Sequence, residues 1–169
     1  MASMQRREGG EMTKGKRAEN PNLETFLALH RTRDLLFRCH DRVVQKFGLT
    51  AEQYTVLLAV KFLDDPVRAT DIGGWMERKV NSVSMIVDRM VRAGLVDRTR
   101  DLPDRREVRV ALTRKGQKAL EQTTPGVMKL ADEMLSPLKQ QDHRTLTRLL
   151  DRLMARAHKH LSAKTRARR

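Results

Sequence analysis

The chain has little of several features that define common classes of protein. Its 169 residues include one cysteine, Cys39, which excludes an intrachain disulfide framework and fits a reducing compartment. No apolar run approaches the roughly 20 residues that a membrane-spanning helix needs. The polar residues 1–20 lack the apolar core of a secretory signal. We therefore expect a soluble, cytoplasmic protein with no membrane partner.

Motifs for catalysis and for metal binding are also missing from the sequence. It contains no phosphate-binding loop, nucleophile elbow or zincin motif. The histidines are scattered, and His158 and His160 are two positions apart, which places their rings on different faces of a helix. We expect no enzymatic activity, no catalytic residue, no metal site and no cofactor.

Acidic residues are outnumbered by basic ones. The 35 Lys and Arg residues against 21 Asp and Glu residues give a formal net charge of +14 at pH 7. Each basic group placed on a phosphate releases counterions, so this charge favours a nucleic-acid partner. A ribosomal protein or an anionic membrane surface would fit the same charge.

The organisation along the chain is predicted to be mainly helical. Residues 1–20 are basic and nearly without apolar side chains, which predicts a disordered N-terminal arm. Residues 21–48 and 114–162 carry apolar side chains at helical spacing, and their leftover apolar faces indicate a dimerisation region. Residues 49–113 are expected to form a DNA-binding lobe, and residues 163–169 a frayed basic tail.

Local signals predict where several helices begin and bend. Thr50, with a glutamine three positions later, predicts a capping box, and Thr70 and Thr113 are expected to cap later helices. The pair Gly73–Gly74 inside a short helix indicates close approach by another helix. Pro125 is expected to interrupt or kink the helix that follows Thr113.

Residues 82–91 form the most informative helix. Apolar side chains at positions 83, 86, 87, 90 and 91 make one stripe, which predicts that the opposite face is free for another surface. With the short helix before it, the segment over residues 69–91 fits a helix-turn-helix whose second helix enters the major groove. An amphipathic helix with a solvated polar face is the alternative. The residues expected to face DNA are Asn81, Ser82, Ser84, Met85 and Arg89. Asn81 can read adenine, and Met85 can contact a thymine methyl group.

Arginines crowd into the segment that follows. Alternation predicts strands over residues 95–100 and 108–112, joined by a charged turn. A guanidinium gains from the negative potential of a narrow minor groove, whereas Asp104 is expected to orient a neighbouring arginine. A solvated charged turn is the alternative. The residues expected to act on DNA from this hairpin are Arg98, Arg100, Asp104, Arg105 and Arg106.

Three motifs together resemble the MarR family of winged helix-turn-helix regulators. They are Asp88–Val96, Asp101–Arg106 and Leu112–Gly116. The resemblance implies a mainly α fold with a small β-hairpin wing, in which terminal helices interlock into a homodimer on a pseudo-palindromic operator. It also implies that Arg106 enters the minor groove, that Asp104 braces it, and that Gly116 allows close packing.

The sequence departs from the family pattern at two places near the expected reading surface. Met85 stands where the family often has arginine. The turn Glu77–Lys79 replaces a more usual glycine, apolar residue and serine, which makes Lys79 a candidate phosphate contact.

Family members commonly release DNA when a small aromatic ligand binds between the dimer helices and the DNA-binding lobe. The residues that can line such a pocket are Phe26, His30, Arg33, Phe37, Tyr54 and Trp75, with plain core or surface positions as the alternative. Cys39 resembles the thiol of the oxidation-sensing branch, but a buried or incidental thiol is the favoured interpretation, because no second cysteine is present. The sequence thus predicts a DNA-binding repressor. The alternatives are a nonspecific architectural protein, an activator and a redox-responsive regulator.

Replacing Arg106 tests the wing assignment. Arg106→Ala should weaken binding to the operator by about 1–3 kcal/mol, because a good groove contact is lost. Titration of a fluorescently labelled operator duplex measures this change, with thermal unfolding as the control for folding. An unchanged operator affinity would contradict a minor-groove role for Arg106.

Overall fold

Helices make up most of the chain, and one antiparallel hairpin interrupts them. A computed structural model describes residues 20–99 and 108–166, with side chains up to residue 163. The described elements are α1 (Pro21–Gln45), α2 (Ala51–Phe62), α3 (Ala69–Trp75), α4 (Val80–Arg92), β1 (Val96–Thr99), β2 (Arg109–Leu112), α5 (Arg114–Leu135) and α6 (Gln140–Arg166). This architecture confirms the predicted mainly α fold with a small hairpin. The predicted arm over residues 1–20 lies, except for Asn20, outside the described residues.

The chain divides into two units, residues 1–38 and 39–169. In the first unit, Asn20 begins α1 because its side-chain oxygen accepts a hydrogen bond from the backbone N–H of Asn22 at 2.9 Å. The apolar side chains of this unit are largely exposed. They are Leu23, Phe26, Leu27, Leu35, Leu36 and Phe37. The expected apolar face is therefore present on this part of α1 and is uncovered in the single chain.

The second unit contains the buried core. Its largest fully buried apolar side chains come from α1, α2, α3, α4 and both strands. They are Leu57, Ile72, Met90, Val44, Val56, Val83, Val87, Val96 and Val110. Gly48 ends α1 with φ +73°, a conformation that favours glycine. The capping box predicted at Thr50 is confirmed, since Thr50 and Gln53 exchange hydrogen bonds of 2.9 and 3.2 Å.

The start of α3 differs from the prediction. Thr70 lies inside the helix, and Arg68 occupies the capping position. The Asp71 carboxylate accepts a hydrogen bond from the Arg68 backbone N–H at 2.8 Å. The carboxylate of the first turn therefore closes this helix end, so the prediction that Thr70 caps it was wrong.

The two glycines of α3 are not equivalent. A Cβ built on Gly73 would lie 3.0 Å from the carbonyl oxygen of Arg78, so the turn before α4 approaches the helix closely there. A Cβ on Gly74 would meet no atom within 4 Å. Close approach of a neighbouring segment therefore explains why glycine stands at position 73. The same prediction was wrong for Gly74.

The hairpin confirms the predicted strands to within one residue at each end. Strands β1 and β2 are antiparallel, with Arg98 opposite Val110 and Thr99 opposite Arg109. A third segment joins them, because the Val110 N–H donates to the Val67 carbonyl at 2.8 Å. The base of the wing is therefore paired on both sides of β2.

Helix α5 continues through Pro125, so the predicted interruption was wrong, and the alternative of a kink stays a prediction. Its start confirms the predicted cap, since the Thr113 hydroxyl accepts from the Gly116 N–H at 2.9 Å. Proline removes only the bond to the carbonyl four residues earlier, at Glu121. Both Pro125 and Glu121 are exposed, so water can replace that bond.

Helix α6 continues to Arg166, so residues 163–166 of the predicted tail are helical. Its apolar side chains are exposed in the single chain. They are Leu146, Leu149, Leu150, Leu153, Met154 and Leu161. Like the first part of α1, this helix therefore presents an apolar face that its own chain leaves uncovered.

Gly116 is the position where substitution should harm the fold most directly. A Cβ there would lie 1.9 Å from the carbonyl oxygen of Leu95, a backbone atom that cannot rotate away. Gly116→Ala should lower the free energy of unfolding by about 1–3 kcal/mol or more, as overpacking does. Urea unfolding measures this loss.

Gly74→Ala is the matched control for that substitution. The added methyl group meets nothing, so the better helix propensity of alanine should raise the free energy of unfolding by up to about 1 kcal/mol. A Gly116→Ala variant as stable as the unsubstituted chain would contradict the tight contact with Leu95.

Candidate nucleic-acid interface

The turn between α3 and α4 is fixed at several points. The Arg78 N–H donates to the Gly73 carbonyl at 2.8 Å, and the Arg78 guanidinium forms an ion pair with Glu52 of α2 at 3.1 Å. Glu77 has φ +54°, the left-handed conformation that reverses the chain here. Residues 69–92 therefore form a helix, a tight turn and a second helix, with the start of α4 held against α2 and α3.

Helix α4 has one buried and one exposed face. Val83, Val87 and Met90 are fully buried, and Ile86 is nearly so. Val91 was expected in the same stripe, but it is 36% exposed because it lies at the edge of the packed face. The exposed face carries Asn81, Ser82, Met85, Asp88 and Arg89, and Ser84 is half-buried at its edge. The residues predicted to read DNA thus share a surface, and their contact with DNA stays a prediction.

Two residues give this face its chemical character. Met85 is 65% exposed, so the middle of a polar surface carries an apolar side chain that its own chain leaves uncovered. Lys79 is exposed at the capping position of α4, and the first turn contains no acidic residue. A lysine beside the positive end of a helix dipole favours a negatively charged partner such as phosphate.

The wing residues predicted from the sequence are only partly described. Arg100, Asp104, Arg105 and Arg106 lie outside the described residues, so their roles stay predictions. Arg98 is described, and its side chain turns toward α4. Its guanidinium forms an ion pair with Asp88 and donates to the Ser84 carbonyl at 3.3 Å.

Sequence reasoning missed Asp88 as a functional candidate. Opposite charge was the only signal for its pair with Arg98, because the two residues are ten positions apart and lie on different elements. The base of the wing has a second anchor that was also missed. Arg109 forms an ion pair with Asp65 at 3.2 Å and donates to the Thr99 hydroxyl at 3.3 Å.

A cavity of about 340 Å³ lies beside the base of the wing. Its lining combines guanidinium and hydroxyl groups with apolar side chains. The lining residues are Arg68, Ala69, Thr70, Ser84, Arg98, Val108 and Val110. Arg68 and Thr70 were not among the predicted DNA-facing residues, because the sequence pattern placed them before the recognition segment.

Tyr54 and Trp75, two candidates for an effector pocket, differ in environment. Tyr54 is buried, and its hydroxyl donates to the Thr124 hydroxyl at 3.2 Å. Its ring contacts that of His40 edge-on, with centroids 5.4 Å apart. Burial lowers the pKa of His40, and the neighbouring Asp41 carboxylate partly opposes this shift. Trp75 ends α3 and is 44% exposed.

The other four pocket candidates lie in the first unit, on α1. The rings of Phe26 and His30 are 4.5 Å apart between centroids, and the Arg33 guanidinium lies 5.4 Å from the centre of the Phe37 ring. These contacts are between neighbouring turns of one helix. Their part in binding an effector stays a prediction.

Residues 20–99 and 108–166 lack the features of two other kinds of site. This part of the chain contains no group of three or more His, Cys, Asp or Glu side chains able to hold a metal ion. None of its helices is both long enough and apolar enough to span a membrane. Cys39 is half-buried and not in a disulfide.

The sequence pattern of the MarR family matches residues 47–107, which begin in the turn after α1 and end before β2. Over these residues the chain is similar to the MarR family. The chain is also similar to the HTH-type transcriptional repressor MdtR of Bacillus subtilis (strain 168). The two are 28% identical over 99 residues, which cover 59% of this chain and 63% of MdtR.

Two solved structures share its fold. The organohalide-sensing regulator RdhR-CbdbA1625, in its 2,4-dichlorophenol-bound form, has a TM-score of 0.76 and 19% identity, covering 87% of this chain and 89% of its own. MepR of S. aureus, solved as a DNA complex, has a TM-score of 0.73 and 19% identity, covering 82% of this chain and 99% of its own. At these identities the likeness concerns the fold alone.

Proposed function

We propose that this protein is a homodimeric repressor of the MarR family that binds a pseudo-palindromic DNA operator. The observation that carries the proposal is the division of α4. Its apolar stripe is buried in the core except at Val91, whereas Asn81, Ser82, Met85 and Arg89 are exposed on the other face. A helix of this form, next to a paired β-ribbon, suits a major groove about 12 Å wide.

Phosphate contacts supply the affinity in this proposal. The formal charge of +14 attracts duplex DNA, and Lys79 at the start of α4 is placed to meet the backbone. Contacts from α4 to base edges and from the wing to the minor groove supply the specificity. MepR, which shares the fold, was solved as a DNA complex, and this supports DNA as the partner.

Exposed apolar faces support the homodimer. A single chain leaves six large apolar side chains of α6 between 38% and 64% exposed, and those on the first part of α1 are similarly uncovered. Such faces are rarely left in water, and a second copy of the chain can bury them on each helix. Two copies would present two α4 helices to two half-sites of one operator.

Repression and release by a ligand complete the proposal. MdtR, a relative, is a repressor, and RdhR-CbdbA1625, which shares the fold, binds 2,4-dichlorophenol. We infer that this protein covers a promoter in the cytoplasm and leaves it when a small aromatic effector binds. Tyr54 and the aromatic residues of α1 are the candidates for that contact.

Competition between duplexes tests the proposed function. A site selected from a random duplex library should bind the protein about 10³-fold more tightly than random duplex at the same salt concentration. One half of that site alone should bind far more weakly, because only one α4 of the dimer is engaged. A specificity ratio near one would favour the architectural alternative, and equal binding of half and whole sites would contradict the dimer.

The exposed methionine gives a second test. Replacing each thymine of the selected site by deoxyuridine removes one methyl group, and at the position that Met85 contacts this should cost about 0.8 kcal/mol. The Met85→Ala variant should bind both duplexes equally at that position. Asn81→Ala is the matched control, because it should keep the preference for thymine. If the unsubstituted protein binds the selected site with equal affinity after each thymine is replaced, this role of Met85 is contradicted.

A further inference from the structure

The guanidinium of Arg98 joins the base of the wing to α4. One of its nitrogens, Nη1, pairs with the Asp88 carboxylate, and the other, Nη2, donates to the Ser84 carbonyl at 3.3 Å. Ser84 and Asp88 are one helical turn apart. A planar guanidinium can span both acceptors at once, which a lysine ammonium cannot do in the same geometry. We refer to Arg98, Asp88 and the Ser84 carbonyl as the wing clamp.

The strand that carries Arg98 is a firm support for this contact. Arg98 lies opposite Val110, which is 1% exposed, and the N–H of Val110 donates to the Val67 carbonyl at 2.8 Å. The side chain of Arg98 is 31% exposed. A movement of α4 relative to the wing base would therefore break the clamp rather than bend the strand.

Charge gives the clamp a second consequence. Asp88 is 53% exposed on the face of α4 that is proposed to meet DNA, where a free carboxylate would be repelled by phosphates. Pairing with Arg98 offsets that charge. An arginine used in this way is less available for a phosphate of its own.

We propose that Arg98 is a positioning residue, which sets the orientation of α4 relative to the wing so that both reach DNA in one register. This inference rests on the proposed function. It replaces the sequence-based expectation that Arg98 contacts DNA directly. The two roles give different results in binding experiments. A phosphate contact adds affinity for every duplex, whereas the clamp adds affinity only for the selected duplex.

The Asp88→Asn variant separates orientation from charge. Removing a carboxylate from the DNA-facing surface should leave binding to random duplex equal or tighter. Loss of the clamp should at the same time lower the preference for the selected site about tenfold, near the low end of the loss expected for one base contact. Tighter binding to both duplexes with an unchanged ratio would overturn the proposal.

The double variant Asp88→Asn, Arg98→Gln keeps the net charge of the protein. If Arg98 acts through the clamp, the double variant should prefer the selected duplex over random duplex as strongly as Asp88→Asn does. The salt dependence of its DNA binding should equal that of the unsubstituted protein. If Arg98 binds a phosphate, the slope of log K against log salt should fall by about one, which would overturn the proposal. Arg89→Gln is the matched comparison, because it shows how far the slope of log K against log salt falls when an exposed arginine of α4 is lost.

A measurement without DNA keeps the clamp testable if the proposed function fails. Hydrogen exchange of the α4 amides should be faster in both clamp variants than in the unsubstituted protein, with thermal unfolding confirming that each variant is folded. Unchanged exchange throughout α4 would overturn the clamp. An unsubstituted protein that does not prefer the selected duplex would instead refute the proposed function, and the exchange result would still decide the clamp.

Discussion

Burial of the apolar stripe on α4 orients the helix, and the rest of the DNA-binding lobe is arranged around it. Val83, Val87 and Met90 are fully buried, and each side chain of this kind gains about 1.5–3 kcal/mol on leaving water. A rotation of α4 about its axis would expose this stripe, so the helix has one stable orientation. The polar face is thereby directed outward, and the contacts of Arg98 with Asp88 and Ser84 add to this orientation.

The end of α4 transmits that orientation to the rest of the chain. Gly94 reverses the backbone at φ +68°, and the Thr113 hydroxyl donates to the Gly94 carbonyl at 2.7 Å. Lys115 donates to the Ala93 carbonyl at 2.8 Å, and Gly116 leaves room for the Leu95 backbone. Helix α4, strand β1 and helix α5 therefore meet at one compact junction. A change in the direction of α5 would therefore displace the end of α4, because Thr113 and Lys115 bind the carbonyls of the two residues that follow it.

The sequence predicted well the features that depend on neighbours along the chain. The Thr50 and Thr113 caps, the strands and the stripe on α4 each leave a short pattern. The start of α3 was misplaced because Asp71 competes with Thr70 for the same helix end. The partners of Arg98 and Arg109 were not predictable in the same way, since their choice depends on how the strands are packed. A side chain's charge indicates that it needs a partner, and only the fold indicates which one.

The choice of acceptors by Arg98 has a consequence for how such a protein can change over time. Its Nη2 nitrogen binds the backbone carbonyl of Ser84, so this part of the contact is independent of the side chain at that position. Asn81, Ser82 and Met85 take no part in it either. The surface proposed to meet bases can therefore accumulate substitutions while the helix keeps its direction. Under the proposed function, new operator preferences are then accessible in single steps, without changes to the core that holds α4.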